Sequence, residues 1–262
     1  MLEAQGLTAW YRKDRVVLRD VTLSVAAGEV VALAGPNGVG KSTLLKTLLG
    51  LMRPKCGEIR VGGRLLAKLS PRERALAMAY APQAAATAFP TCVFDAVLLG
   101  RRAHLGWRAS PRDWQIVEQC LDRLGLTELA MHDVGCLSGG QRQKVVLARA
   151  LVQDARFLLL DEPTSNLDLR CQLECLDVVQ KAAHVEGRGV LVALHDLNLV
   201  SRYADRVVLL HLGSIVADGS PHQVLDRQAI RLVYGVDVAI THGEGHRHIL
   251  ALNPIDERHC DP

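Results

Sequence analysis

Three apolar runs stand out because polar residues do not interrupt them: Val30-Val-Ala-Leu-Ala34, Phe157-Leu-Leu-Leu160 and Val190-Leu-Val-Ala-Leu194. Runs of this length, rich in Val and Leu, predict strands buried on both faces, the habit of a parallel sheet covered by helices. Elsewhere the pattern alternates. Residues 1–34 switch between apolar and polar with breaks at Lys13-Asp14 and Ala27-Gly28, which predicts two or three antiparallel strands. Glu58-Ile-Arg-Val61 reads as a strand closing on a Gly62-Gly63 hairpin turn, and residues 77–81 as another short strand. Residues 206–210 and 214–217 finish the sheet, with Gly213 and Gly219 as turn points.

Helical spacing takes over in residues 42–49, 93–101, 113–125, 139–150 and 169–185, and Ser70-Pro71-Arg-Glu73 has the form of a capped helix start. The concentration of helical segments over about 86–155 predicts a helical subdomain inserted into the α/β core. On this reading residues 1–224 form the main domain and 225–262 a short C-terminal extension.

Between the first buried run and the helix that follows it lies Gly35-Pro36-Asn37-Gly38-Val39-Gly40-Lys41-Ser42-Thr43, which fits the Gly-x-x-x-x-Gly-Lys-Ser/Thr phosphate-binding loop at every specified position. The chemistry needs these types. Glycines let successive backbone N–H groups approach an anion at a helix N-terminus, Lys41 reaches the β- and γ-phosphates, and the Ser42 hydroxyl ligates Mg²⁺. The chain therefore reads as a P-loop NTPase with a RecA-like core.

The second buried run delivers Asp161 and Glu162 at its end. Asp161 is placed to hold Mg²⁺. Glu162, pointing the other way in an extended chain, is placed to polarise an attacking water. Adjacent buried carboxylates repel unless a cation sits with them, which also argues for the metal. The third run ends at His195, the carboxyl end of a core strand, where ligands gather in open α/β sheets. Gln83 closes a strand and offers a neutral amide to Mg²⁺ or to the water. Leu137-Ser138-Gly139-Gly140-Gln141 opens a helix with a hydroxyl and unencumbered N–H groups, a second anion-binding device in one chain. Tyr11 presents a flat aromatic face before the phosphate loop, suited either to stacking on adenine or to covering a sheet edge.

Taken together these motifs resemble the ATP-binding-cassette ATPases over residues 2–224, with the Leu-Ser-Gly-Gly-Gln stretch the most specific of them and no motif position departing from the pattern. The resemblance implies that Tyr11 stacks on adenine, that Gln83 is the Q-loop residue, Ser138 to Gln141 the signature, Asp161 and Glu162 the Walker B pair, Asp168 the D-loop carboxylate and His195 the switch histidine. It implies ATP and Mg²⁺ as cofactors and a head-to-tail homodimer, in which the phosphate loop of one subunit and the signature of the other enclose each ATP. Thr164-Ser-Asn-Leu-Asp-Leu-Arg170, His195-Asp-Leu-Asn198, Tyr203-Ala-Asp205 and Leu99-Gly-Arg-Arg-Ala-His104 look like the ATPases of importers for iron–siderophore complexes, haem and cobalamin. Such an importer would add transmembrane permease subunits and, indirectly, a substrate-binding protein, with this chain on the cytoplasmic face of the membrane.

Composition narrows the alternatives. Lys+Arg of 31 against Asp+Glu of 28 gives a net charge of +3, too mild to point to nucleic acid. Seven scattered cysteines contain no Cys-x-x-Cys pair and suit a reducing compartment, and Cys171 and Cys175 at helical spacing read as packing residues. The N-terminus has no export signal, and no apolar run approaches the length that spans a bilayer. A soluble cassette ATPase acting on nucleic acid or in iron–sulfur cluster assembly is the alternative; the lack of a coiled-coil insertion, a second cassette and a basic tract argues against the DNA-repair and ribosome-associated types. A scaffold that binds ATP without turnover would not need Glu162 and His195. The stretch Thr241-His242-Gly-Glu244-Gly-His246-Arg-His248 reads as an exposed strand and glycine turn rather than a metal site.

Overall fold

The computed structural model describes residues 1–12, 15–83, 91–105, 108–165, 167–243 and 245–255, with Tyr11, Arg12 and Arg15 described by their backbone alone. In chain order the elements are β1 (Leu2–Arg12), β2 (Arg15–Val25), β3 (Val30–Ala34), α1 (Lys41–Leu48), β4 (Cys56–Val61), β5 (Arg64–Leu65), α2 (Pro71–Ala77) and β6 (Met78–Ala81). There follow α3 (Val93–Leu98), α4 (Pro111–Arg123), α5 (Gly139–Val152), β7 (Phe157–Asp161), α6 (Leu169–His184), β8 (Gly189–Ala193) and α7 (Leu197–Tyr203). The chain closes with β9 (Arg206–His211), β10 (Ser214–Gly219), α8 (Pro221–Val224), α9 (Arg227–Tyr234), β11 (Val236–Gly243) and β12 (His246–Pro254).

The six-stranded central sheet has the order β10-β9-β3-β8-β7-β6, parallel except for the edge strand β10. Its uninterrupted apolar runs are explained by two cores, one on each face. Val30, Ala32, Ala34, Leu158, Leu160, Val190, Val192, Val207 and Leu209 pack into one with residues of α5, α6 and α7. Their neighbours Val31, Leu33, Leu159, Leu191, Val208 and Leu210 pack into the other, with α1 and the second sheet. A period of two with both faces apolar leaves no polar position in the strand. Cys175 belongs to the first core, where burial pushes its thiol up to about 12, so it behaves as a packing residue.

The second sheet, β2-β1-β4-β5, is antiparallel, as the alternating pattern predicts for the first two strands. The third strand of that N-terminal stretch, β3, instead joins the parallel sheet between β8 and β9, because it has no polar face to turn outward. Capping boxes start α2 at Ser70 and α4 at Ser110, each with proline in the first turn. Between α3 and α5, a buried ion pair fastens the helical region: Arg101 Nε donates to Asp113 Oδ1 at 2.9 Å, and its guanidinium also donates to the Val152 carbonyl at the end of α5 at 2.9 Å. The C-terminal stretch holds more order than the word extension suggests. Helix α9 ends on Gly235 in the left-handed region, and β11 and β12 pair from Val236↔Pro254 to Gly243↔His246. Glu244, counted with the histidines of this stretch, lies outside the described residues. Among the described residues no helix is long and apolar enough to cross a membrane.

Candidate functional site

The site is built at the carboxyl ends of β3, β6, β7 and β8, where the parallel strands hand over to loops. After β3 the backbone turns at Gly35, whose φ is +144° and where a Cβ would lie 2.5 Å from the Leu210 carbonyl oxygen, so only glycine fits. Asn37 and Gly38 are exposed at the loop tip, with Pro36 and Val39 half-buried on either side. Gly40, at φ +117°, opens α1 with no side-chain cap and no acidic residue in the first turn. The first N–H groups of α1 are thereby left to an outside anion, and the helix dipole favours one.

Lys41 is 5% exposed. Its ammonium donates to the carbonyls of Gly35 at 2.7 Å and Pro36 at 3.1 Å, curling back over its own loop. Burial pulls its pKa below the ordinary lysine value, opposed by the carboxylates of Glu162 and Asp161. Ser42 Oγ donates to Asp161 Oδ1 at 3.0 Å, and Thr43 is buried one position further into the helix. Ser42 and Asp161 meet because Asp161 shares the parity of Phe157 and Leu159, the β7 residues that face the α1 side of the sheet. A hydroxyl and a carboxylate oxygen side by side are the hard donors that a small divalent cation takes.

Glu162 corrects one step of the sequence reasoning. It is not part of an extended chain: β7 ends at Asp161, and Glu162 has φ +53°, the left-handed region that a non-glycine residue occupies at a cost of about 1–2 kcal/mol. The turn is held by Glu162 N–H donating to the Ala193 carbonyl at 3.2 Å, and by Ser165 Oγ and Gln143 Nε2 donating to the Glu162 carbonyl at 2.9 and 3.5 Å. It sends the two carboxylates to different partners. Asp161 takes Ser42 and Tyr80, whose hydroxyl donates to Oδ2 at 3.2 Å. Glu162 takes the Gln83 amide on one oxygen and His195 Nε2 on the other. Repulsion inside a shared pocket is therefore not what calls for a cation here, and Gln83 pairs with Glu162 rather than with the Ser42–Asp161 oxygens.

The structure thus brings Lys41, Ser42, Gln83, Asp161, Glu162 and His195 into one cluster. The glutamate side chain is 10% exposed and the histidine 41%, so Glu162 is enclosed while His195 forms its open wall. Ser138, Gly139, Gly140 and Gln141 are bonded otherwise. Ser138 N–H donates to Gln141 Oε1 at 2.9 Å and Gln141 N–H to Ser138 Oγ at 3.2 Å, a capping box at the exposed start of α5. Asp168 caps α6 through the Cys171 N–H at 2.8 Å, a bond that holds its carboxyl below the usual range. The Tyr11 side chain lies outside the described residues, and its neighbour Trp10 carries the Lys55 ammonium 3.7 Å from its ring centroid. Tyr80 and Gln143 were not anticipated. Parity along β6, which puts Tyr80 on the same sheet face as Met78, was the available signal for the first; nothing local marks Gln143.

The family model described as ABC transporter matches residues 18–165. A hemin import ATP-binding protein of Gloeobacter violaceus is 42% identical, over 92% of this chain and 89% of its own. A petrobactin import ATP-binding protein of Bacillus anthracis is 35% identical, over 94% of this chain and 95% of its own. Among solved structures, a metal-chelate type ABC transporter in an inward-facing conformation superposes with a TM-score of 0.83 at 29% identity, over 96% of this chain and 97% of that one. A dimeric ATP-binding cassette in a post-hydrolysis state with ADP and Pi superposes at 0.76 and 26%, over 84% and 99%.

Proposed function

The chain belongs to the ABC transporter family and is an ATPase, and from that premise we propose that it drives uptake of a metal chelate, an iron–siderophore complex foremost, through a membrane permease. The observation that carries the hydrolytic part is the Glu162 carboxylate, held between the Gln83 amide and His195 beside the phosphate loop. In this reading the loop 35–43 and Lys41 bind the triphosphate. Glu162 orients the attacking water and draws on its proton, and His195 and Gln83 fix the Glu162 oxygens. Ser42 and Asp161 supply the oxygen donors for Mg²⁺, which when bound offsets phosphate charge.

A second subunit supplies Ser138 to Gln141 and Asp168 to the same nucleotide; the dimeric, product-bound cassette supports this reading. The dimer works peripherally on the cytoplasmic face of the membrane, with Gln83 and the helices after it receiving the permease and a substrate-binding protein delivering cargo to the outside.

Support for the cargo class comes from relatives named for hemin and petrobactin import and from the metal-chelate type transporter. The hemin relative supports haem as the second reading, and the cobalamin relative supports cobalamin after it. No motif residue touches cargo, so uptake itself is the test. Deleting the gene should abolish growth on an iron chelate, on haem or with cobalamin as sole source; unchanged use of all three with loss of zinc or molybdate uptake would refute the proposal.

A further inference from the structure

We infer that the C-terminal hairpin sets the position of His195, and that Asn198 and Ser201 are the positioning residues through which it does so; the inference rests on the role given to His195 above. His195 leaves β8, and two residues later α7 begins, capped by Asp196 Oδ1, which accepts from Asn198 N–H at 2.8 Å and Leu199 N–H at 3.4 Å. Helix α7 is seven residues long, too short to hold its own orientation, so its neighbours decide where it lies. One side is anchored in the core by buried Val200 and Tyr203, whose hydroxyl donates to Asp177 Oδ1 at 2.9 Å.

The other side is fastened to β12. Asn198 Nδ2 donates to the Ile249 carbonyl at 3.2 Å while Ile249 N–H donates to Asn198 Oδ1 at 2.7 Å, so the side-chain amide pairs with the strand as a neighbouring strand's peptide would. Buried Ser201 accepts from Arg247 N–H at 3.0 Å. The spacings match. Residues 247 and 249 present their peptide groups on one edge of the strand, and residues 198 and 201 share one helix face. Arg247 then ties the strand to the end of α8, its guanidinium donating to the Leu225 carbonyl at 2.7 Å. Both polar ends of the Asn198 amide are thus engaged by β12 rather than by its own helix.

Only three peptide units separate His195 from Asn198, and a catalytic contact tolerates displacement of about half an ångström. A helix released on its β12 side therefore passes its displacement to His195. The nucleotide pocket, built from the loop at 35–43, is left as it was.

The test is steady-state hydrolysis of ATP by the full chain. Asn198→Ala should lower kcat about fivefold with KM for ATP little changed, and Asn198→Asp, which keeps the acceptor for Ile249 N–H and loses the donor, should fall between. Ser201→Ala should act in the same direction and Ser201→Thr should restore it. In a His195→Ala background Asn198→Ala should cost nothing further, because both act through one contact. Effects that multiply in the double variant, or a wild-type kcat in Asn198→Ala while His195→Ala is inactive, would overturn the inference and leave the histidine's role standing. Wild-type turnover in His195→Ala would remove both.

Discussion

The loop before α1 and the start of α5 are the two places proposed to bind phosphate, and they are completed differently. At the strand ends, Lys41, Ser42, Asp161, Glu162, Gln83 and His195 come from four separate segments; Ser42 bonds Asp161, Gln83 and His195 bond Glu162, and Lys41 bonds the carbonyls of its own loop. At the start of α5, the Ser138 and Gln141 side chains are bonded, among the described residues, within their own helix turn, and that turn is exposed. In the proposed function the first is the assembled site with its reacting groups in place, and the second is a surface that meets a nucleotide held by the partner. The lesson is that residue chemistry alone ranks the two as equals, while their bonding differs: one is joined across distant segments, the other within a single helix turn, as the proposed two-chain site requires.

The largest expected effect falls at the assembled end. Glu162→Gln should keep ATP binding and lose about a thousandfold in turnover, since the shape survives and the proton-accepting charge does not. It should also run as a dimer on size-exclusion with ATP and Mg²⁺, whereas Lys41→Ala should lose nucleotide affinity and stay monomeric. Wild-type turnover in Glu162→Gln would erase the distinction between the two ends.

Mixing variants tests the unpaired half. Ser138→Arg places a bulky cation where the signature would meet a partner's γ-phosphate and should be inactive alone, as should Lys41→Ala. In an equal mixture each heterodimer holds one intact composite site, and activity that neither variant shows alone should return in part. No recovery in such a mixture would mean that the signature does not act across two chains.

A smaller effect is expected where the signature helix is fastened. Arg101 bonds both Asp113 and the last carbonyl of α5, so Arg101→Ala should destabilise the fold by about 3 kcal/mol, measured by denaturant unfolding. The Ser110 hydroxyl, with Arg101 beside it, holds the Asp113 carboxyl down to about 2 against the opposing effect of burial. A carboxylate held low in the folded state binds fewer protons there than unfolded. Its contribution is therefore full above the unfolded value of about 4 and lost as pH falls toward 2. Asp113→Asn should lack that part of the acid transition.

Much of this comparison could be read from the chain before any coordinates. The buried runs announced the parallel sheet, since Val30–Ala34 and Phe157–Leu160 have no polar residue to offer a solvent face. The phosphate loop announced its own geometry, since Gly35 has no room for a side chain. What stayed hidden depends on meetings between distant segments. Tyr80 reaches Asp161 across 81 positions and Asn198 reaches Ile249 across 51; parity along β6 gives the face of Tyr80 but not its partner, and no local pattern registers the second. The left-handed turn at Glu162 was hidden for another reason: it runs against residue preference and is imposed by Ala193, Ser165 and Gln143.

The finest test asks whether Ser138 serves the fold and the ligand with separable parts of one hydroxyl. In the structure its oxygen accepts the Gln141 N–H, which satisfies one of the open donors at the start of α5. A hydroxyl has a second lone pair and a proton, and that proton remains to be donated to a phosphate oxygen. Ser138→Ala removes both and should cost about 1 kcal/mol in stability together with activity. Ser138→Asp keeps an oxygen that caps the helix as well as serine does, so stability should move by less than about 0.5 kcal/mol. Its negative charge, however, meets the phosphate with repulsion where serine offered a donor, and turnover should fall as far as in Ser138→Ala or further. Thermal unfolding and hydrolysis measured on the same two preparations separate the roles. If Ser138→Asp is as unstable as Ser138→Ala, the cap is not what the oxygen provides; if it hydrolyses ATP normally, no phosphate ever reaches this end of the molecule.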